Sequence, residues 1–193
     1  GLYAPVHPDD VPPKLTAVRG RQLLCALREG PFGAEQVNAR LEALFRHAAG
    51  DSTAGEWYPG RAVMITRNDA ASGLFNGDIG ICLRDSAGQL SVWFEGVSGL
   101  EGGSGPRAFA PDALPSHEGA FAITVHKSQG SEYGHVAVLL PPDTDNAVLS
   151  RQLLYTAATR ARKSLALWCT EPVLQASLAA RNARSSALPQ RLG

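Results

Sequence analysis

Nine consecutive residues, Thr124-Val125-His126-Lys127-Ser128-Gln129-Gly130-Ser131-Glu132, crowd polar and ionisable groups behind an apolar run. In that run Phe121, Ile123 and Val125 alternate with Ala122, Thr124 and His126, so a strand would bury the first set and send the second to the other side. Thr124 and His126 would then emerge together at the strand end, where open α/β sheets hold ligands. Lys127-Ser128-Gln129-Gly130 reads as a turn whose free N–H groups suit a phosphate. Glu132 is placed to accept a hydrogen bond from a sugar hydroxyl. A plain strand exit with solvated side chains explains His126 or Lys127 taken singly. It does not explain the whole string.

A second constellation is Leu153-Leu154-Tyr155-Thr156-Ala157-Ala158-Thr159-Arg160-Ala161-Arg162-Lys163. At helical spacing Leu153, Ala157 and Ala161 share one side, and Thr156, Arg160 and Lys163 another. An arginine projecting from a rigid helix is what stabilisation of a transferring γ-phosphate requires. A basic helix C-terminus favoured by the dipole is the better account of Arg162 and Lys163. For Arg160 the two readings stand level on spacing alone.

Equally informative is what the chain lacks. No Gly-x-x-x-x-Gly-Lys-Ser/Thr string occurs, and Gly30-Pro31-Phe32-Gly33 has no lysine after it. No apolar run ends in Asp-Glu. The phosphate cradle and the magnesium ligands of a nucleotide hydrolase are therefore not in this sequence. Cys25, Cys82 and Cys169 have no metal-ligand spacing and sit in apolar runs, which points to free buried thiols in a reducing cytoplasm. No metal-ligand residues are expected.

The elements that must position these residues are legible in outline. The 193 residues are 44% hydrophobic, with 18 basic and 18 acidic side chains. This excludes general disorder and a basic wrapper around duplex DNA, though not a local groove. No apolar stretch approaches the roughly 20 residues of a membrane span. Residues 1–18 are Pro-rich and read as a linker-like lead-in. A strand over 21–28, a helix over 34–47, strands over 120–125 and 135–140, a helix over 147–163, a strand over 165–169 and a helix over 172–183 follow from periodicity. The pattern predicts a parallel sheet covered on both faces. Between them, residues 57–116 carry short alternating strands and turn signals such as Asn76-Gly77, which predicts a small antiparallel barrel. The predicted organisation is thus an α/β domain of residues 1–56 and 117–193, interrupted by a barrel at 57–116. Met64, Cys82 and Trp168 read as core. Trp93 faces away from Val92 and Phe94. Residues 96–105 read as a loop and the tail from 183 as frayed.

The two constellations resemble motifs V and VI of superfamily-one helicases. Arg67-Asn68-Asp69 and Phe75-Asn76-Gly77-Asp78-Ile79-Gly80 narrow the resemblance to the RecD-like branch, the alpha subunits of exodeoxyribonuclease V and their relatives. Leu24 through Gly33, Asn38 and Val92-Trp93-Phe94-Glu95 are similar to that branch too, so the resemblance covers about residues 20–170. It implies that the α/β part is the second RecA-like motor domain and the barrel an inserted Src-homology-3-like domain. It implies ATP-driven 5′-to-3′ movement on single-stranded DNA. It also implies a role in double-strand break repair and recombination, with RecB and RecC as partner subunits or with a related branch acting without them. The nuclease belongs to RecB, so no nuclease residues are expected here.

Carried over, Thr124 and His126 would touch the DNA backbone. Gln129, Gly130 and Glu132 would meet the nucleotide, with Gln129 linking the two sites, and Arg160 would be the γ-phosphate finger. Lys127, Arg67, Asn68 and Arg28 are further candidates for DNA phosphates. ATP and Mg2+ would lie in a cleft against an upstream motor domain, so neither is expected to bind this chain tightly and the chain alone is expected to be inactive. The expectation is a C-terminal segment of a longer protein. The competing reading is a non-catalytic module that binds single-stranded DNA or a partner subunit.

Overall fold

The computed structural model describes residues 5–48, 55–96 and 105–180. In chain order the elements are α1 (Val11–Arg19), β1 (Arg21–Cys25), α2 (Ala34–Ala48), β2 (Ala62–Ile65), β3 (Ile79–Arg84), β4 (Leu90–Phe94), β5 (Arg107–Phe109), β6 (His117–Gly119), β7 (Ala122–Thr124), β8 (Tyr133–Leu139), α3 (Arg151–Ala158), β9 (Ala161–Trp168) and α4 (Glu171–Ala179). They form two sheets. The first is parallel, in the order β7-β1-β8-β9. The second is antiparallel, in the order β5-β4-β3-β2-β6.

Over β7, β1 and β8 the parallel sheet is covered on both sides, as apolar strands require, while β9 is largely exposed. Leu24, Ile123, Val136 and Val138 point to the side of α3 and α4, where Leu149, Leu153, Ala157 and Val173 complete one core cluster. Cys25 and Ala122 point to the other side, where α2 brings Ala34 and Val37. Ser150 caps α3 by accepting the Leu153 N–H at 3.2 Å, which satisfies one donor of the first turn.

The antiparallel sheet encloses its own cluster, with Val63, Ile65, Cys82, Val92 and Phe94. Gly80 makes room there for the Phe94 ring, which an added Cβ would approach to 2.6 Å. β5 and β6 occupy the two ends of the sheet order.

Several expectations need correction. The lead-in at 1–18 contains α1, whose Pro12 and Pro13 lie in the first turn, where a missing N–H removes no helical bond. Val11 and Leu15 of this helix pack on Ile81, Leu83 and Trp93. Trp93 therefore lies beneath α1. The antiparallel sheet runs past residue 116, since β6 pairs with β2. The helix expected over 147–163 stops at Ala158, and β9 starts at Ala161. Trp168, expected in the core, is 54% exposed because β9 is an edge strand. Cys25 and Cys82 are buried, while Cys169 is half-buried. Among the described residues no helix is long and apolar enough to cross a membrane. The expected tail lies outside the described residues, as does most of the loop expected at 96–105.

Candidate functional site

The residues singled out in the sequence collect at two opposite edges of the parallel sheet. Thr124 of β7 is level with Cys25 of β1, and Cys25 with Leu139 of β8. Tyr133, where β8 begins, is six residues below Leu139. At about 3.3 Å per residue, Thr124 and Tyr133 are separated by roughly 20 Å along the strand direction. Residues 125–132 make this return without a helix. Val125 anchors the return in the α3-side core. The Ser128 side chain is wholly buried, and its hydroxyl donates to the Val125 carbonyl at 2.7 Å. Gly130 turns the chain with φ +85° and has open space where a Cβ would stand. The string thus starts at the C-terminal edge of the sheet and ends at its N-terminal edge.

At the C-terminal edge Thr124 and His126 do not emerge together. β7 ends at Thr124, so the alternation of side chains is lost at the turn. Thr124 and Lys127 line a groove of about 260 Å³ with Arg28, Glu35, Asn38 and Glu118. His126 and Gln129 line a separate cleft of about 170 Å³ with Ser150, Leu153 and Thr156. The Thr124 hydroxyl accepts the Lys127 N–H at 3.3 Å. Both groove cations are ion-paired: Lys127 with Glu118, and Arg28 with Glu35 at 2.7 Å. The hydrogen bond and charge of Glu35 raise the Arg28 pKa above its ordinary value.

At the N-terminal edge, Arg160 sits in the turn between α3 and β9. Its guanidinium donates to the carbonyls of Ser131 at 3.0 Å and Thr156 at 3.2 Å, and to the Thr159 hydroxyl at 3.2 Å. Its own carbonyl accepts the Tyr133 N–H at 2.8 Å. Glu132 pairs with Arg162 at 2.7 Å. Burial raises the pKa of the adjacent Tyr133 phenol. This edge therefore presents an open glycine turn and two arginines, one of them paired with a carboxylate; guanidinium donors are the groups that suit a polyphosphate.

Arg67 and Asn68 are not drawn into either group. Asn68 closes its own loop by accepting the Asn76 N–H at 2.8 Å, and the nearby Asp69 is held below the usual carboxylate range by hydrogen bonds from Ser72. No described interaction joins Arg67 to the Thr124–Glu132 string. Sequence reasoning missed Glu118 and Glu35 as partners of the candidate cations. It also missed how Asn38 braces β7, donating to the Gly119 and Ala122 carbonyls at 3.1 and 2.7 Å and accepting the Ala122 N–H at 2.9 Å. These partners lie 81 and 84 residues from Asn38, so no local spacing signals them.

The model of the UvrD-like helicase C-terminal domain matches residues 119–168, which span the whole string and the Arg160 turn. Over 178 residues the chain is 37% identical to the RecBCD enzyme subunit RecD of Mycobacterium tuberculosis strain H37Rv, covering 92% of this chain and 30% of that protein. The chain is similar to a segment of RecD-like proteins. It is also 36% identical over 180 residues to the ATP-dependent RecD2 DNA helicase of Deinococcus radiodurans, covering 89% of this chain and 23% of that one. The RecD-like chain thus spans under a third of the length of these relatives. Among solved structures, the Pif1 helicase from Candida albicans is similar with a TM-score of 0.48 at 13% identity, covering 92% of this chain and 53% of that one. The parallel sheet with helices on both sides fits a RecA-like fold.

Proposed function

We propose that this RecD-like chain is the second RecA-like half of an ATP-dependent 5′-to-3′ DNA helicase, the alpha subunit of exodeoxyribonuclease V, acting in double-strand break repair in the cytoplasm. The carrying observation is the helix-free return of residues 125–132, which joins two groups of polar residues at opposite edges of one sheet. In this reading the C-terminal edge holds single-stranded DNA. Thr124 and Lys127 meet the backbone from one side of the string, His126 from the other, with Arg28 beside them and Arg67 and Asn68 further along the strand path.

The N-terminal edge forms one wall of an ATP site, with Gln129 between the two groups. Gly130 lets the nucleotide approach the backbone, Glu132 accepts from the sugar, and Arg160 presents its guanidinium to the γ-phosphate. ATP with Mg2+ supplies the phosphoryl transfer. The remaining ligands belong to an upstream motor domain, and RecB and RecC are the partners of the parent. The antiparallel sheet, from β2 to β6, corresponds to the family's Src-homology-3-like insertion. Its separate apolar cluster supports that assignment.

The test is a titration of fluorescent single-stranded oligonucleotide at low salt against the chain and its Thr124→Ala/His126→Ala variant. Binding that weakens steeply with salt and drops in the variant is the expected result. Equal binding by both proteins would remove the C-terminal edge from the DNA path.

A further inference from the structure

A groove built to hold DNA phosphates should offer cations without competing negative charge, yet here each cation already has a carboxylate partner. The two pairs differ in exposure. The Arg28 and Glu35 side chains are 66% and 48% exposed, whereas Lys127 and Glu118 are 36% and 33% exposed. The Lys127–Glu118 pair is therefore the less screened by water. Its members also come from different parts of the fold. Glu118 lies on β6, opposite Met64 of the antiparallel sheet, while Lys127 belongs to the string that follows β7. Lys127 is held to the turn by its backbone N–H on Thr124, so its ammonium swings from a fixed base within reach of the same groove.

We infer that Glu118 is a built-in competitor of the DNA backbone, occupying the Lys127 ammonium until a phosphate replaces the carboxylate. This rests on the DNA-binding reading of the C-terminal edge and adds a regulating residue to it. Strand binding exchanges one anion for another on Lys127. It thereby breaks a tie between the antiparallel sheet and the motor sheet. The Glu118 carboxylate lowers affinity for single strands and makes release easier.

The experiment is the same oligonucleotide titration at low salt on the full 193-residue chain, using oligo-dT as the probe. The variants are Glu118→Gln, Glu118→Asp, Lys127→Ala and the double variant Glu118→Gln/Lys127→Ala. Glu118→Gln is expected to bind about fivefold tighter, the scale of one partly exposed ion pair. Glu118→Asp keeps the charge but retracts the carboxylate by one methylene, so it also tightens binding, by less. In the Lys127→Ala background the gain from Glu118→Gln disappears. A gain that persists there, or a Glu118→Asp protein indistinguishable from the wild type, would assign the effect to general charge and overturn the inference. Unchanged or weaker binding by Glu118→Gln overturns it too. No binding by any protein, the wild type included, overturns instead the DNA-binding reading beneath it.

Discussion

The Arg160 guanidinium donates to the Ser131 carbonyl at 3.0 Å, tying the turn after α3 to the end of the Thr124–Glu132 string. A cation proposed to meet a γ-phosphate is thus held in place by the segment that reaches back to the opposite sheet edge. Arg160→Lys keeps the charge but loses the planar fork that reaches Ser131, Thr156 and Thr159 together. Both Arg160→Lys and Arg160→Ala are expected to cost about 1 kcal/mol in urea denaturation. Single-strand affinity should stay within about twofold, since the DNA group lies roughly 20 Å away along the strand direction. A large loss of DNA binding in either variant would contradict the separation of the two edges.

The chain by itself should not turn over ATP, because its sequence contains no phosphate-binding Gly-x-x-x-x-Gly-Lys-Ser/Thr loop. Phosphate release from a purified preparation, with and without oligonucleotide, checks this. Turnover that Arg160→Ala abolishes would show a complete site within these residues.

Asn38 makes three hydrogen bonds to the backbone at 119 and 122, just before the string begins. Asn38→Ala leaves those backbone groups without the amide and is expected to cost about 2 kcal/mol. Asn38→Asp keeps the acceptor for the Ala122 N–H but turns two donor contacts into carboxylate–carbonyl repulsion, so it should be at least as damaging. Hydrogen exchange at Ala122 and Ile123 reads the local effect, which should exceed the change elsewhere in the sheet.

Gly80 lies under the Phe94 ring, and Phe94 is itself buried. An added methyl must displace this buried ring, so Gly80→Ala is expected to cost about 1–3 kcal/mol. The companion Gly80→Ala/Phe94→Leu should recover part of that loss by relieving the overlap. Denaturation midpoints of the single and double variants decide it.

Burial pushes the Cys25 and Cys82 thiols from the ordinary value of 9.0 up to about 11. The folded chain holds these protons more tightly than the unfolded chain. Their contribution to stability is complete below pH 9.0 and lost as pH rises through about 11. Urea midpoints should therefore fall across that window, and replacing both thiols by Ala should flatten the fall. Near neutral pH the half-buried Cys169 should react with a thiol reagent before the other two.

Much of the site was legible because it is written in local strings. The run from Thr124 to Glu132 announces a strand end, a turn and a set of polar groups within a few residues, and apolar alternation at Phe121, Ile123 and Val125 tells which side is buried. The antiparallel strands between Ala62 and Phe109 were legible for the same reason, since period-two patterns and turn residues are local. Arg160 shows where this reading stops. Helical spacing from Leu153 to Lys163 is genuine, but Tyr133 pairs with Ala161, and the parallel strand β8 draws residues 161–168 into the sheet. A long-range ladder of hydrogen bonds outweighs the helix propensity of these residues. Trp168 failed as a core residue because position in a sheet, edge or centre, is not encoded in the strand itself. Trp93 and α1 were joined only by packing.

The amino-acid sequence by itself determined the alternation of element types, the polar make-up of the string and its resemblance to RecD-like helicases. Only the tertiary structure decided that the string's two ends lie at opposite sheet edges, that Thr124 and His126 face different clefts, and that Glu118 and Glu35 stand against the candidate cations. The physical reason is the range of the interactions. Turn, strand and helix preferences act over a few residues, whereas register, edge position and ion pairing between sheets arise when distant segments are brought together by burying their apolar faces.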